Sequence, residues 1–164
     1  MCALLRLKPT FFLFLILQFH VSVLATTAET SEQVLSRFFD ALKKNDVNAA
    51  TELAMSFPEF PDGYLRSKIE RAAEATAQGE TPKIIRSREL TSLAVVIIDE
   101  KPSNDRPDID PIYLIKDGDV WKVTINMEFD AASRVKVPDR VVEEFGVLSG
   151  WFTSEKAALK QQTR

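Results

Sequence analysis

Histidine and cysteine are all but missing: the 164-residue chain has one of each, and both, Cys2 and His20, lie near its first residue. The segment that holds them, residues 1–25, reads as a secretory signal peptide. Arg6 and Lys8 form a short positive start, and residues 10–25 are uncharged and almost entirely apolar. Val23 and Ala25 supply small residues at the third and first positions before a cleavage point at Thr26. The apolar run is short for a span, which needs about 20 apolar residues, and Gln18 and His20 interrupt it. An uncleaved anchor is the alternative, and then the only membrane contact is through this segment. No cysteine follows the run, so lipid attachment there is not indicated. Either way residues 26–164 are expected to be exported, to a periplasm or the extracellular space.

The rest of the chain therefore has no imidazole and no thiol. Histidine-based acid–base catalysis, a cysteine nucleophile and nitrogen or sulfur metal sites are excluded together. So is a disulfide, even in an oxidising compartment. Loss of Arg6 and Lys8 with no acidic residue moves the formal charge from −3 to −5. A mildly acidic domain is not built for nucleic acid, because neutralising phosphates takes clustered Lys and Arg. Its length suits one domain, which buries roughly two-thirds of its unfolded surface and needs no staple.

Helical signals come first. Thr30 and Gln33 have the spacing of a capping box, and Val34, Leu35, Phe38, Ala41 and Leu42 fall on one stripe. Asn45-Asp46 breaks this helix, and a second runs over residues 47–55. Pro58, Pro61 and Gly63 exclude a helix through residues 56–63. A third covers residues 64–78 and stops at Gly79. Residues 83–90 and 93–100 then read as strands. The unbroken run Val95, Val96, Ile97, Ile98 marks the second as covered on both faces. Lys83, Arg86 and Arg88 put cations on the first, where they guard it if it is an edge.

Asp117-Gly118 between two strand-like runs is a hairpin signature, and a type I′ turn at that pair sets a register. It pairs Lys116 with Asp119, Leu114 with Trp121, Ile112 with Val123 and Asp110 with Ile125. Leu114, Trp121 and Val123 are then the core or ligand-lining face. Tyr113, Ile115 and Val120 lie on a half-polar face suited to an interface with a protein partner or a second copy. Residues 128–137 give no clear signal. Pro138-Asp139 opens a terminal helical segment carrying Val141, Val142, Phe145, Leu148, Trp151 and Phe152, with Gly146 and Gly150 speaking against one unbroken helix. Its last dozen residues are polar and expected to fray.

Helices followed by consecutive hairpins is an α+β order: N-terminal helices on a curved antiparallel sheet of about four strands, with an extra C-terminal helical segment. The stretches VLSRFFDALKKNDVNAATELA, residues 34–54, and IYLIKDGDVWKVTI, residues 112–125, resemble the nuclear-transport-factor-2-like superfamily, the cone-shaped fold shared with ketosteroid isomerases. The resemblance is to exported members of unknown function and spans about residues 30–127. It implies a cone with a single cavity. The segment after Pro138 departs from the simplest form and is placed to close the cone mouth or form an interface.

Ketosteroid-isomerase-like chemistry uses a carboxylate base with a tyrosine or a protonated acid. Asp99 and Asp110 are the weak catalytic candidates here, each more readily read as a capping or solvated residue at a strand end. Ser133 and Lys136 match a bare Ser-x-x-Lys spacing without its companion motifs, and no Gly-x-Ser-x-Gly occurs. Asn104, Asp105, Asp108 and Asp110 are the best candidate cluster for calcium. It lacks the central Gly and final Glu of a calcium hand, so no metal and no cofactor is expected. Trp151 and Phe152 read as packing or as an exposed anchor. The expectation is a non-enzymatic exported domain that binds a partner protein or a small apolar ligand. The alternative is a lyase or isomerase with a carboxylate base in the cone cavity.

Overall fold

The computed structural model describes residues 28–104, 106–125 and 135–162. The expected signal peptide lies outside them, as does Ser133. The architecture is α+β: α1 (Ser31–Lys43), α2 (Val47–Leu53), α3 (Tyr64–Gln78), then β1 (Lys83–Glu89), β2 (Leu93–Asp99), β3 (Ile109–Asp117) and β4 (Val120–Val123), and last α4 (Asp139–Gln162). The strands form one antiparallel sheet in the order β1-β2-β3-β4. Among the described residues no helix is long and apolar enough to cross a membrane.

Local chemistry starts each helix. Thr30 Oγ1 accepts from the Gln33 N–H at 3.3 Å, and Gln33 Oε1 accepts from the Thr30 N–H at 2.9 Å, closing the capping box. Asn45 has a φ of 55° at the turn into α2, and Asp46 Oδ1 caps that helix by accepting from the Ala49 N–H. β1 and β2 pair with a bulge between Ile84 and Arg86.

The β3–β4 register differs from the sequence reading. Leu114 pairs with Val123, Lys116 with Trp121 and Asp117 with Val120, so the two turn residues are Gly118 and Asp119. Gly118 has a φ of 60°, while Asp119 is not among the positive-φ residues. A glycine first in the turn is the type II′ arrangement; the type I′ turn would have put Asp117 at positive φ. The slip amounts to two residues along the partner strand, an even number, so every side chain keeps its face.

The sheet is covered on both sides. Ala94, Val96, Ile98, Leu114, Trp121 and Val123 turn toward α1, α2 and α3 and pack with Val34, Leu35, Phe38 and Ile69. Leu93, Val95, Tyr113 and Ile115 turn the other way, against Val141 and Leu148 of α4 and against Phe57. All seven residues of β2 are buried, as its apolar run requires. α4 is one unbroken helix, against the expectation drawn from its glycines. A helical glycine costs about 1 kcal/mol relative to alanine, and burial of Val141 and Leu148 offsets that. Both glycines face open space. The polar tail stays helical through Gln162.

Candidate functional site

β4 ends at Val123, well short of the start of β3. Past that end the first half of β3 borders an open cleft of about 1220 Å³. α1 contributes Phe38, Phe39 and Leu42, and α3 contributes Ala72, Ala75 and Thr76. The sheet supplies Ile98, Ile112 and Val123, and α4 closes the far side with Phe145 and Phe152. Ligand cleft walls are mostly apolar with few polar groups, and this lining fits that pattern. The helical spacing that buries Phe38 also brings Phe39 and Leu42 to the cleft wall.

The hydroxyls on the walls are engaged internally. Thr76, Thr124 and Thr153 donate to the carbonyl oxygens of Ala72, Tyr113 and Ser149, at 2.7, 2.8 and 2.9 Å. Tyr113 is hydrogen-bonded to Ser149; burial pushes its phenol above the usual value, and this bond opposes the rise. Carboxylates stand at the mouth. Glu80 accepts from the Ser103 N–H at 3.1 Å and from its hydroxyl, which holds its carboxyl below the usual range. Asp110 faces Lys156 at 3.4 Å. Glu100 also lines the cleft, with an exposed side chain. Partial loss of water, then the charges of Asp110 and Asp108, hold its carboxyl above the usual range, and Lys101 opposes them.

The sequence-derived candidates divide. Asp110 lines the cleft. Asp99 does not: it is buried, and its Oδ1 accepts from the Lys101 and Asp108 N–H groups at 3.2 and 2.9 Å. It closes the β2–β3 loop, one of the two roles a strand-end aspartate suggested. Val123 reaches the cleft wall, whereas Leu114 and Trp121 stay in the core, with Lys116 over the Trp121 ring at 5.2 Å. The half-polar face is not open where an interface was expected. Tyr113 and Ile115 are covered by α4, and only Val120, 52% exposed, remains accessible. The reason is α4 itself, whose apolar stripe has no other sheet face to cover. Tyr113, read from the sequence as part of the half-polar interface face, is on the cleft wall. Trp151 packs in the α4 core under Arg88, and Phe152 lines the cleft.

In the acidic loop weighed and set aside for calcium, Asp108 is paired with Lys101 at 3.3 Å, and Asp105 lies outside the described residues. No group of three metal-ligating side chains occurs among the described residues. A smaller hollow of about 520 Å³ lies beside α3, lined by Met55, Phe57, Phe60, Tyr64 and Lys68. Phe60 stacks on Tyr64 at 4.5 Å, and Lys68 sits over the Tyr64 ring. Arg66 is held by Glu70 and Asn48. Its cations already have partners, so the larger cleft is the stronger site. Glu100, the residue the sequence reading missed, carries no local signature; its place at the rim follows from the pairing of β2 with β3.

These features define an α+β domain with helices on both faces of a four-stranded sheet and a cleft past the end of its last strand. Among solved structures the chain is similar to one from Campylobacter jejuni described as a "putative NTF2-like transpeptidase", at 16% identity and a TM-score of 0.47, covering 59% of this chain and 100% of that one. A likeness at this level transfers no activity and no residue role. No protein-family model matches the chain, and no curated protein matches it.

Proposed function

We propose that residues 26–164 form an exported, non-enzymatic binding domain whose cleft takes a small, largely apolar ligand. The cleft carries this reading: about 1220 Å³ of space walled by Phe38, Phe39, Leu42, Ile98 and Ile112, with the wall hydroxyls already bonded within the fold. Sites for small ligands are typically concave and apolar with a few polar groups. Cover of Tyr113 and Ile115 by α4 favours a ligand over a protein partner on the sheet face. A naphthyl alcohol is a suitable neutral probe, with an expected Kd of roughly 0.1–1 mM for a ligand of that size. Calorimetry on the mature domain measures it. Ala75→Trp places an indole on an exposed cleft position of α3 and should weaken binding about tenfold. No saturable binding, or equal binding by the variant, would overturn the reading. For export, mass spectrometry of the protein recovered from a periplasmic or culture fraction should give a chain beginning at Thr26.

One observation favours lyase or isomerase chemistry as a second reading: Asp110 and Glu100 line the same cleft, and the Glu100 carboxyl holds its proton more tightly than usual. A carboxylate base of this kind moves protons on carbon acids. Its signature is deuterium uptake from D2O into the carbon beside the carbonyl of an aryl ketone, lost in Asp110→Asn. Exchange at the uncatalysed rate in the native protein rejects this chemistry.

A further inference from the structure

Hydrogen-bond donors and acceptors are unevenly distributed around the cleft. The Thr76, Thr124 and Thr153 hydroxyls donate to backbone carbonyls, and Tyr113 and Ser149 bond to each other. Of the mouth carboxylates, Glu80 is engaged with Ser103. The Glu100 carboxylate makes no hydrogen bond or ion pair among the described residues. Its neighbour Lys101 is paired with Asp108, at 3.3 Å, and acts on Glu100 only through space. Asp110 meets Lys156 only at 3.4 Å, through one oxygen, with both side chains partly in water. The two cations near this rim are thus already engaged, and acceptor capacity remains on two carboxylates above an apolar floor.

We propose that the cleft selects ligands that join an apolar body to a cationic amine, with Glu100 and Asp110 receiving the amine at the mouth and Phe39, Leu42 and Ile112 receiving the body. This rests on the ligand-binding reading and adds the chemical class. Two like charges that share a rim repel: partial loss of water is the main reason Glu100 keeps its proton more tightly than usual, and the charges of Asp110 and Asp108 add to it while Lys101 opposes. A cation between them relieves that repulsion and satisfies their oxygens. A neutral ligand leaves both as they are, and an anion adds to the repulsion. The rim is wet, so the selectivity is modest: attraction at partly exposed carboxylates amounts to about a tenfold preference, not several thousandfold.

A matched set of naphthylmethylamine, naphthylmethanol and naphthoate tests this by calorimetry on the intact mature domain. The amine should bind about tenfold more tightly than the alcohol, and naphthoate most weakly. Glu100→Gln should reduce the amine's advantage over the alcohol to about threefold. Lys156→Gln, which releases Asp110, should raise it. High salt should erode the advantage, because the rim charges are screened. Thermal unfolding of each variant checks that the fold is intact. If the alcohol binds but the amine binds no better, the charge selectivity is wrong and the ligand-binding reading stands. The charge selectivity is equally wrong if the preference survives replacement of both Glu100 and Asp110, or if naphthoate binds most tightly. If none of the three binds, both readings fall together.

Discussion

The two faces of the sheet are closed by different means. On one face three helices bury Val34, Leu35, Phe38, Leu42 and Ile69 against Ala94, Val96, Ile98 and Leu114, with polar ties added where the Ser31 N–H donates to Glu89, Lys122 to the Glu52 carbonyl and the Met55 N–H to the Val123 carbonyl. On the other a single helix, α4, rests on a smaller apolar patch and is held at several polar points. Glu144 Oε2 accepts from the Ser92 and Leu93 N–H groups, both at 2.8 Å, while its Oε1 accepts from Arg140 at 3.0 Å. Farther along, Glu155 meets Arg86, Trp151 lies under Arg88 and Lys156 meets Asp110. Stabilisation is spread over many contacts on the first face and concentrated at a few on the second. The cleft opens where the two arrangements fail to meet, past the end of β4.

Substitutions can break this contrast, beginning with the largest effect. Leu35→Ala removes a fully buried side chain from the three-helix face and should cost about 2–5 kcal/mol in urea unfolding, with every probe lost in one transition. Glu144→Ala leaves two backbone N–H groups without their acceptor and should cost about 1–3 kcal/mol. The loss should be local: hydrogen exchange quickens in α4 and at Ser92 and Leu93, while α1 keeps its protection. Equal loosening of α1 would show that the faces are not independently held.

Acid should act on the same contact. Burial alone would push the Glu144 carboxyl up, but the Ser92 and Leu93 N–H groups and Arg140 outweigh it and hold it below the ordinary value of 4.5. A carboxyl with a lowered folded pKa stabilises fully above the unfolded value. That contribution disappears as pH falls through the folded pKa. Native stability should therefore drop as pH falls below about 4.5, and Glu144→Gln should lose most of that slope. An unchanged slope in the variant assigns the acid sensitivity elsewhere.

Smaller effects complete the series. Arg86→Ala breaks an exposed ion pair with Glu155 and should cost under about 1 kcal/mol, less in high salt. Among the described residues the buried Ser31 hydroxyl has no hydrogen-bond partner, so Ser31→Ala should be neutral or slightly stabilising in thermal unfolding.

The three-helix face was legible in the sequence because its signals are local. The Thr30–Gln33 box, the Val34–Leu42 stripe and the Gly63 and Gly79 bounds of α3 each act within a few residues. β2 was legible too, since a strand buried on both faces has no polar position. What failed depends on longer range or finer geometry. Asp-Gly marks a tight turn without saying which turn position the glycine takes, and that choice shifted the register by two. Gly146 and Gly150 argued for a break that packing against the sheet overrides. Tyr113 and Ile115 alternate as an exposed face would, and only α4, from far along the chain, covers them. The cleft was legible least, because Phe39, Glu100, Asp110 and Phe152 are separated widely in sequence and joined only by the fold.

We propose the space past the end of β4, between α1, α3 and α4, as a ligand site. A titration of isotope-labelled protein with naphthylmethanol, followed by amide chemical shifts, tests it most directly. Saturable shifts should group at Phe39, Leu42, Ala75, Ile112 and Phe152. Shifts grouped instead at Met55, Phe60 and Tyr64, or none at saturating probe, would contradict it.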